Sequence, residues 1–242
     1  MATLREIDYS IRYNMHEGLY DPVDVLLRIN NAVTRIAAGI KLPDGRVSPP
    51  LPDLYSSGTV ATGSGVAVVS LPSTYQRNLF NVVDSNKDRV PPPNGGDYYS
   101  FQMFTRRSRY KDLSETGSVY MACVKGTNLY YQAIPSSSVN LGVYFYRKPV
   151  PMSAKTDEPD GIPEEYALDI VKNYVLADVY GDHLGHQDKA KEISPKFFAD
   201  KRQLHLQRVY EIADEMMQFV GEAEGDPEYY AYEEGRYDYY YR

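Results

Sequence analysis

Apolar side chains recur every three to four positions along the first forty residues, the period of a helix with one buried face. Leu4, Ile7 and Ile11 share such a face. In front of them Thr3-Leu4-Arg5-Glu6 reads as a capping box, with Thr3 serving the backbone N–H three residues on and Glu6 reaching back. A helix to about Met15 is therefore expected. Asp21-Pro22 is a second start signal, Asp as cap and Pro at the first helical position, where its missing N–H costs nothing. Val23, Leu26, Leu27, Asn30, Val33, Ile36 and Ala37 then follow at helical spacing, with Gly39 as the stop.

Prolines dominate from Leu42 to Pro52, and beyond them the period changes to two. Thr59–Thr62, Gly63-Ser64-Gly65 and Val66–Val69 spell strand, tight turn, strand. Phe80–Val83 is another strand, ended by the turn-forming Asp84–Asp88. Val119–Val124 and Leu129–Ile134 flank Gly126-Thr127-Asn128 as a hairpin, and Val139–Arg147 alternates as the last strand. Short strands at this spacing suggest a small sandwich or barrel-like sheet. The alternation fails between Pro91 and Gly117, where Tyr98, Tyr99, Phe101, Phe104, Arg106, Arg107, Arg109 and Tyr110 crowd together. A long aromatic and basic insertion within a sheet reads as an arm that docks on a neighbouring subunit, the alternative being a strand pair decorated for solubility.

The helical period returns after Lys148-Pro149-Val150-Pro151 and the acidic link Asp157-Glu158-Pro159-Asp160-Gly161. Ile162-Pro163-Glu164-Glu165-Tyr166 opens a long helix with Tyr166, Ile170, Val171, Tyr174 and Ala177 on its apolar side. Ser194-Pro195 opens another, carrying Phe198, His205, Val209, Ile212, Met216 and Val220 to about Glu222, roughly 40 Å at ~1.5 Å per residue. Helices at both ends with strands between give an α+β class. The expected organisation is a helical bundle from 1–41 and 163–224, an antiparallel β-domain from 42–162 with its insertion at 91–117, and an extended tail at 225–242. Tyr229, Tyr230, Tyr232, Tyr237, Tyr239, Tyr240 and Tyr241 fill that tail, interleaved with acids. It lacks a period and cannot bury enough to order alone, so it is expected to order against a partner surface rather than stay a permanently mobile tail.

Composition adds three constraints. The 24 tyrosines with no tryptophan point to interfaces, where tyrosine supplies a rigid ring and a hydroxyl. A formal charge of −7 argues against general nucleic-acid binding, which needs clustered Lys and Arg. It is compatible with letting DNA slide past. The single Cys123 excludes an internal disulfide or thiolate metal cluster and reads as a packed thiol. No apolar run approaches the ~20 residues of a membrane span, and the N-terminus lacks a signal-peptide core, so a cytosolic product is expected.

Catalytic chemistry is sparse. Asp182-His183-Leu184-Gly185-His186-Gln187-Asp188 has metal-ligand residue types, but Gly185 and the helix end favour a polar terminal turn. Gly63-Ser64-Gly65 lacks the Lys-Ser/Thr and the helix of a phosphate loop, and Ser136-Ser137-Ser138 is a turn. Glu164-Glu165 sit where carboxylates favour a helix start. No catalytic, cofactor or metal site is assigned.

Tyr144-Phe145-Tyr146-Arg147-Lys148-Pro149-Val150-Pro151, Thr156-Asp157-Glu158-Pro159 and Ile162-Pro163-Glu164-Glu165-Tyr166 leading into Ala167–Val171 resemble the head-to-tail adaptor family of tailed bacteriophages, the neck or tail-tubular-A-like proteins. The helical N-terminus and the proline-led Ser70–Tyr75 strand fit the same order of elements. The insertion and the tyrosine tail depart from it. The resemblance implies a homo-oligomeric ring, commonly dodecameric, beneath the portal protein of a filled head. Such a ring continues the DNA channel without specific DNA binding and carries tail or nozzle proteins. The setting implied is the virion neck, assembled in the host cytoplasm. The rival expectation, from the exposed tyrosines, is a ligand- or glycan-binding β module of a tail accessory protein.

Overall fold

In the computed structural model of the chain, the described residues are 2–15, 21–48, 51–93, 95–109, 115–185 and 194–223. The chain divides into two compact units, Met1–Asp53 with Pro149–Arg242, and Leu54–Lys148. The class is α+β, with five helices and two small antiparallel sheets among the described residues.

The helical unit begins with α1 (Leu4–Asn14) and α2 (Pro22–Ala38). The capping box is present: Thr3 accepts from Glu6 N–H, and Glu6 accepts from Thr3 N–H at 2.8 Å. That bond, with the Thr3 hydroxyl, holds the Glu6 carboxyl below its ordinary range. Asp21 caps α2 by accepting from Val23 and Asp24 N–H, and Gly39 ends it at φ 96°, a conformation that disfavours a side chain. The buried side of α2 keeps Val33, Ile36 and Ala37 from the expected set but not Val23 or Leu27. Val25, Ile29, Ala32, Val33, Ile36 and Ala37 face the core, whereas Val23 and Leu27 are 80% and 59% exposed.

The reason lies in α4 (Glu164–Gly185), against which α1, α2 and α5 (Pro195–Ala223) all pack. Its buried residues, Ala167, Ile170, Val171, Val175, Leu176, Ala177, Val179 and Tyr180, run around the helix rather than along one stripe. A helix apolar on several sides belongs at a centre. Gly181 lets α5 approach, since a Cβ there would meet Arg202 at 3.0 Å. Arg28 fixes the face that α2 turns inward: it donates to Asp24, Asp178 and Asp182 at 2.6 Å each.

Residues 149–162 belong to the helical unit as well. Asn30 and Met152 exchange two hydrogen bonds, 3.0 Å and 2.8 Å. Leu4 N–H donates to Asp157 O at 2.7 Å and Arg5 N–H to Lys155 O at 3.1 Å, so this segment pins the start of α1. The Asp157 carboxylate accepts from Ser153 and Ala154 N–H, which holds it below the usual carboxylate range.

The second unit contains β1 (Tyr55–Ala61), β2 (Val68–Ser70), β3 (Tyr75–Val83), α3 (Phe101–Arg109), β4 (Met121–Lys125), β5 (Asn128–Gln132) and β6 (Asn140–Arg147). The sheets are β1-β6-β3 and β2-β5-β4. They share one core containing Val60, Leu79, Val82, Leu129, Tyr131, Leu141, Val143 and Phe145. The expected β4–β5 hairpin is present, turning at Gly126 with φ 63°. The hairpin expected across Gly63-Ser64-Gly65 is not. β1 pairs with β6 and β2 with β5, so that turn carries the chain from one sheet to the other.

Candidate functional site

The aromatic insertion is largely structural within the sheet unit. Asp97 accepts from Tyr99 N–H at 2.8 Å and turns the chain into α3. Tyr98, named from sequence as an interface residue, is 1% exposed. Its hydroxyl donates to Val90 O at 2.7 Å and accepts from Val82 N–H at 3.2 Å. Burial raises its pKa. Tyr99 places its hydroxyl between Leu79 N–H and the Tyr75 hydroxyl, 2.9 Å away, and burial raises the pKa of both phenols. It still leaves 43% of its surface outside.

In α3, Phe104 is buried with Met121 and Cys123. Phe101 sits 5.0 Å from the Tyr130 ring under Lys125 Nζ at 4.6 Å. Burial pushes the Cys123 thiol up to about 11, so it packs as an inert group. Gln102, Met103 and Arg106 form the outer side. The side chains of Arg107 and Arg109, and all of Tyr110, lie outside the described residues, as do Tyr229, Tyr230, Tyr232, Tyr237, Tyr239, Tyr240 and Tyr241. A signal for α3 existed in Phe101 and Phe104, three apart behind Ser100 and followed by the polar run Thr105-Arg106-Arg107-Ser108-Arg109. The density of aromatics hid it.

Sequence reasoning passed over a second surface. Tyr9 and Tyr13, one turn apart on α1, are 71% and 80% exposed, and Val23 and Leu27 stand out from α2. Large apolar side chains left in water at helical spacing mark a candidate contact surface. Tyr9 and Tyr13 are not singled out by sequence, and Val23 and Leu27 count there in the apolar repeat of α2, because period alone does not say which face is covered.

Chemistry is thin elsewhere. A groove of about 300 Å³ between the end of α2 and the α4–α5 pair is lined by Arg35, Lys41, Tyr174 and Tyr210 among others. It is at the small end of ligand pockets and gathers no acid–base pair. His205 donates from Nδ1 to Asn173 Oδ1 at 2.8 Å and stacks on Tyr180; burial, then Lys201 and Lys172, lower its pKa. Among the described residues no three His, Cys, Asp or Glu gather as metal ligands. The His183 side chain and His186 lie outside them. No helix among the described residues is long and apolar enough to cross a membrane.

Residues 3–226 match the family described as SU10 adaptor protein, and no curated protein matches the chain. That match spans residues of both compact units and most of the sequence. The chain belongs to this family of phage head-to-tail adaptors.

Proposed function

We propose that this phage adaptor assembles as a homo-oligomeric ring, dodecameric by the resemblance above, between the portal protein and the tail or nozzle proteins. The ring extends the DNA channel and supplies the platform on which the tail is built. It is a component of the virion neck, assembled in the host cytoplasm, and its work is assembly rather than catalysis. The observation that carries this reading is the family match over residues 3–226.

Three physical features support it. A ring uses heterologous contacts, one face of a subunit against a different face of the next, and needs apolar anchors exposed on the free chain. Tyr9, Tyr13, Val23 and Leu27 are such anchors on the helical unit. On the sheet unit the interface set narrows to Tyr99, Arg106 and the outer side of α3, with the tyrosines from Tyr229 to Tyr241 as the ordering tail. The charge of −7 suits a lumen through which DNA passes without being held.

Sedimentation of the purified chain, alone and mixed with portal, tests the reading. A ring, or one formed on adding portal, is expected. A monomer indifferent to portal overturns it, and binding on a sugar array abolished by Tyr→Ala changes would favour the glycan-binding alternative.

A further inference from the structure

We propose that the free edge of β1 receives the Arg236–Arg242 segment of a neighbouring copy as a fourth strand of the β1-β6-β3 sheet. The inference rests on the homo-oligomeric reading above and names one of its contacts. The β1–β6 register runs from Tyr55↔Tyr146 to Ala61↔Asn140. Thr62 N–H continues it, donating to Val139 O at 2.9 Å. Bonded positions alternate in an antiparallel ladder, so Ser56, Gly58 and Val60 face β6. The N–H and C=O groups of Ser57, Thr59 and Ala61 then point away from it. All three residues are exposed, and among the described residues no hydrogen bond reaches their backbone.

The other edges are closed or short. On β4, Ala122 N–H donates to Pro91 O at 3.1 Å and Val124 N–H to Tyr98 O at 2.6 Å. On β3, Val90 N–H bonds Val82 O, and two register shifts interrupt the ladder. β2 is three residues long. β1 is the exception: seven residues, Tyr-Ser-Ser-Gly-Thr-Val-Ala, with no charge and no proline. Charge, proline and bulges are the usual means of stopping an edge from pairing, and β1 uses none of them. An edge left open in this way is built to be paired.

The occupant follows from the side chains. A row of rings crosses the sheet, Phe80 to Tyr146 at 5.8 Å and Tyr146 to Tyr55 at 6.3 Å. It ends on the edge strand at Tyr55, 49% exposed. Aromatic cross-strand pairs stabilise a sheet, so a fourth strand that sets a ring beside Tyr55 extends the row. Arg236-Tyr237-Asp238-Tyr239-Tyr240-Tyr241-Arg242 offers such a ring, since extended pairing would set Tyr237, Tyr239 and Tyr241 on one face. It is as long as β1. From Ala223 at the end of α5, the intervening chain spans up to about 40 Å when extended, enough to cross to another subunit. Each subunit would give one strand and take one, the repeating contact that a ring requires.

The test is amide hydrogen exchange on the full-length protein, with sedimentation of the same samples. Its comparison is the full-length Tyr239→Pro/Tyr240→Pro variant, since one of two consecutive N–H groups must face β1. Expected is at least tenfold slower exchange at Ser57, Thr59 and Ala61 in the assembled protein than in the variant. That protection is lost on dilution, while Gly58 and Val60 stay protected throughout. A sedimenting ring whose Ser57, Thr59 and Ala61 exchange as free amides overturns the inference and leaves the ring standing. Protection that survives the proline changes assigns the edge to another strand, and protection that survives dilution assigns it to the chain's own tail; either overturns it. A chain that never assembles removes both readings.

Discussion

Arg28 and Tyr98 do comparable work under opposite solvation. Each ties together segments far apart in sequence, Arg28 joining α2 to α4 in the helical unit and Tyr98 joining β3 to the insertion in the sheet unit. Arg28 sits at a half-open rim beside carboxylates that are 37% to 55% exposed. Burial opposes its charge, but hydrogen bonds to Asp24 and Asp182 outweigh that and raise its pKa. Tyr98 sits in the core, where its hydroxyl is the partner of two backbone groups that water does not reach. Water and counterions can replace part of what Arg28 does. Nothing can replace Tyr98.

The largest expected effect is therefore in the sheet unit. Tyr98→Ala is expected to cost about 3–5 kcal/mol through cavity formation. Tyr98→Phe keeps the ring but strands Val82 N–H and Val90 O, at about 2 kcal/mol. Urea unfolding measures both. Next comes Arg28→Ala, expected to cost about 1–2 kcal/mol, because it leaves Asp24, Asp178 and Asp182 together with the cation gone. Added salt should narrow the gap between Arg28→Ala and wild type by screening those carboxylates, and should leave the Tyr98→Phe gap unchanged. If Arg28→Ala proves costlier than Tyr98→Phe, or if salt acts on both alike, the contrast collapses.

Smaller effects sharpen it. Thr3→Ala removes the capping box and should cost about 1 kcal/mol. Amide exchange in the first turn of α1 would report the change, with the sheet unit unaffected. The smallest effect is pH dependence at His205. Its pKa is lower in the folded chain than in the unfolded one, so below the ordinary histidine value the unfolded state binds the extra proton. Stability from this group is present above pH ~6.5 and is lost as pH falls through the folded value. Thermal unfolding from pH 7.5 to 5 should show that decline in wild type and a flatter profile in His205→Gln. An unchanged profile would remove His205 from the account.

What could be read from sequence follows the same division. The Thr3 box, the Asp21-Pro22 start and the Gly39 stop are local events, and each stands where the residues place it. The buried face of α2 is legible only in part, because Val23, Leu26 and Leu27 keep helical spacing with Val33 and Ile36 as well as Val25 and Ile29 do. Only α4 and Arg28 decide between the two faces. β1 and β2 look like a hairpin because they adjoin in sequence, yet each finds its partner some sixty or more residues later. Pairing of that kind is a property of the shared core and leaves no local mark. Tyr98 and Phe104 were read as interface because composition counts aromatics without saying which way they face. For the surfaces themselves, sequence supplied the tail and the structure supplied Tyr9, Tyr13 and the edge of β1.

On the proposed function, these surfaces serve assembly between portal and tail. An electron micrograph of the purified chain mixed with its portal tests it most directly. A ring of this chain stacked coaxially on the portal ring is expected. Portal rings left bare, with the chain remaining monomeric beside them, would contradict it.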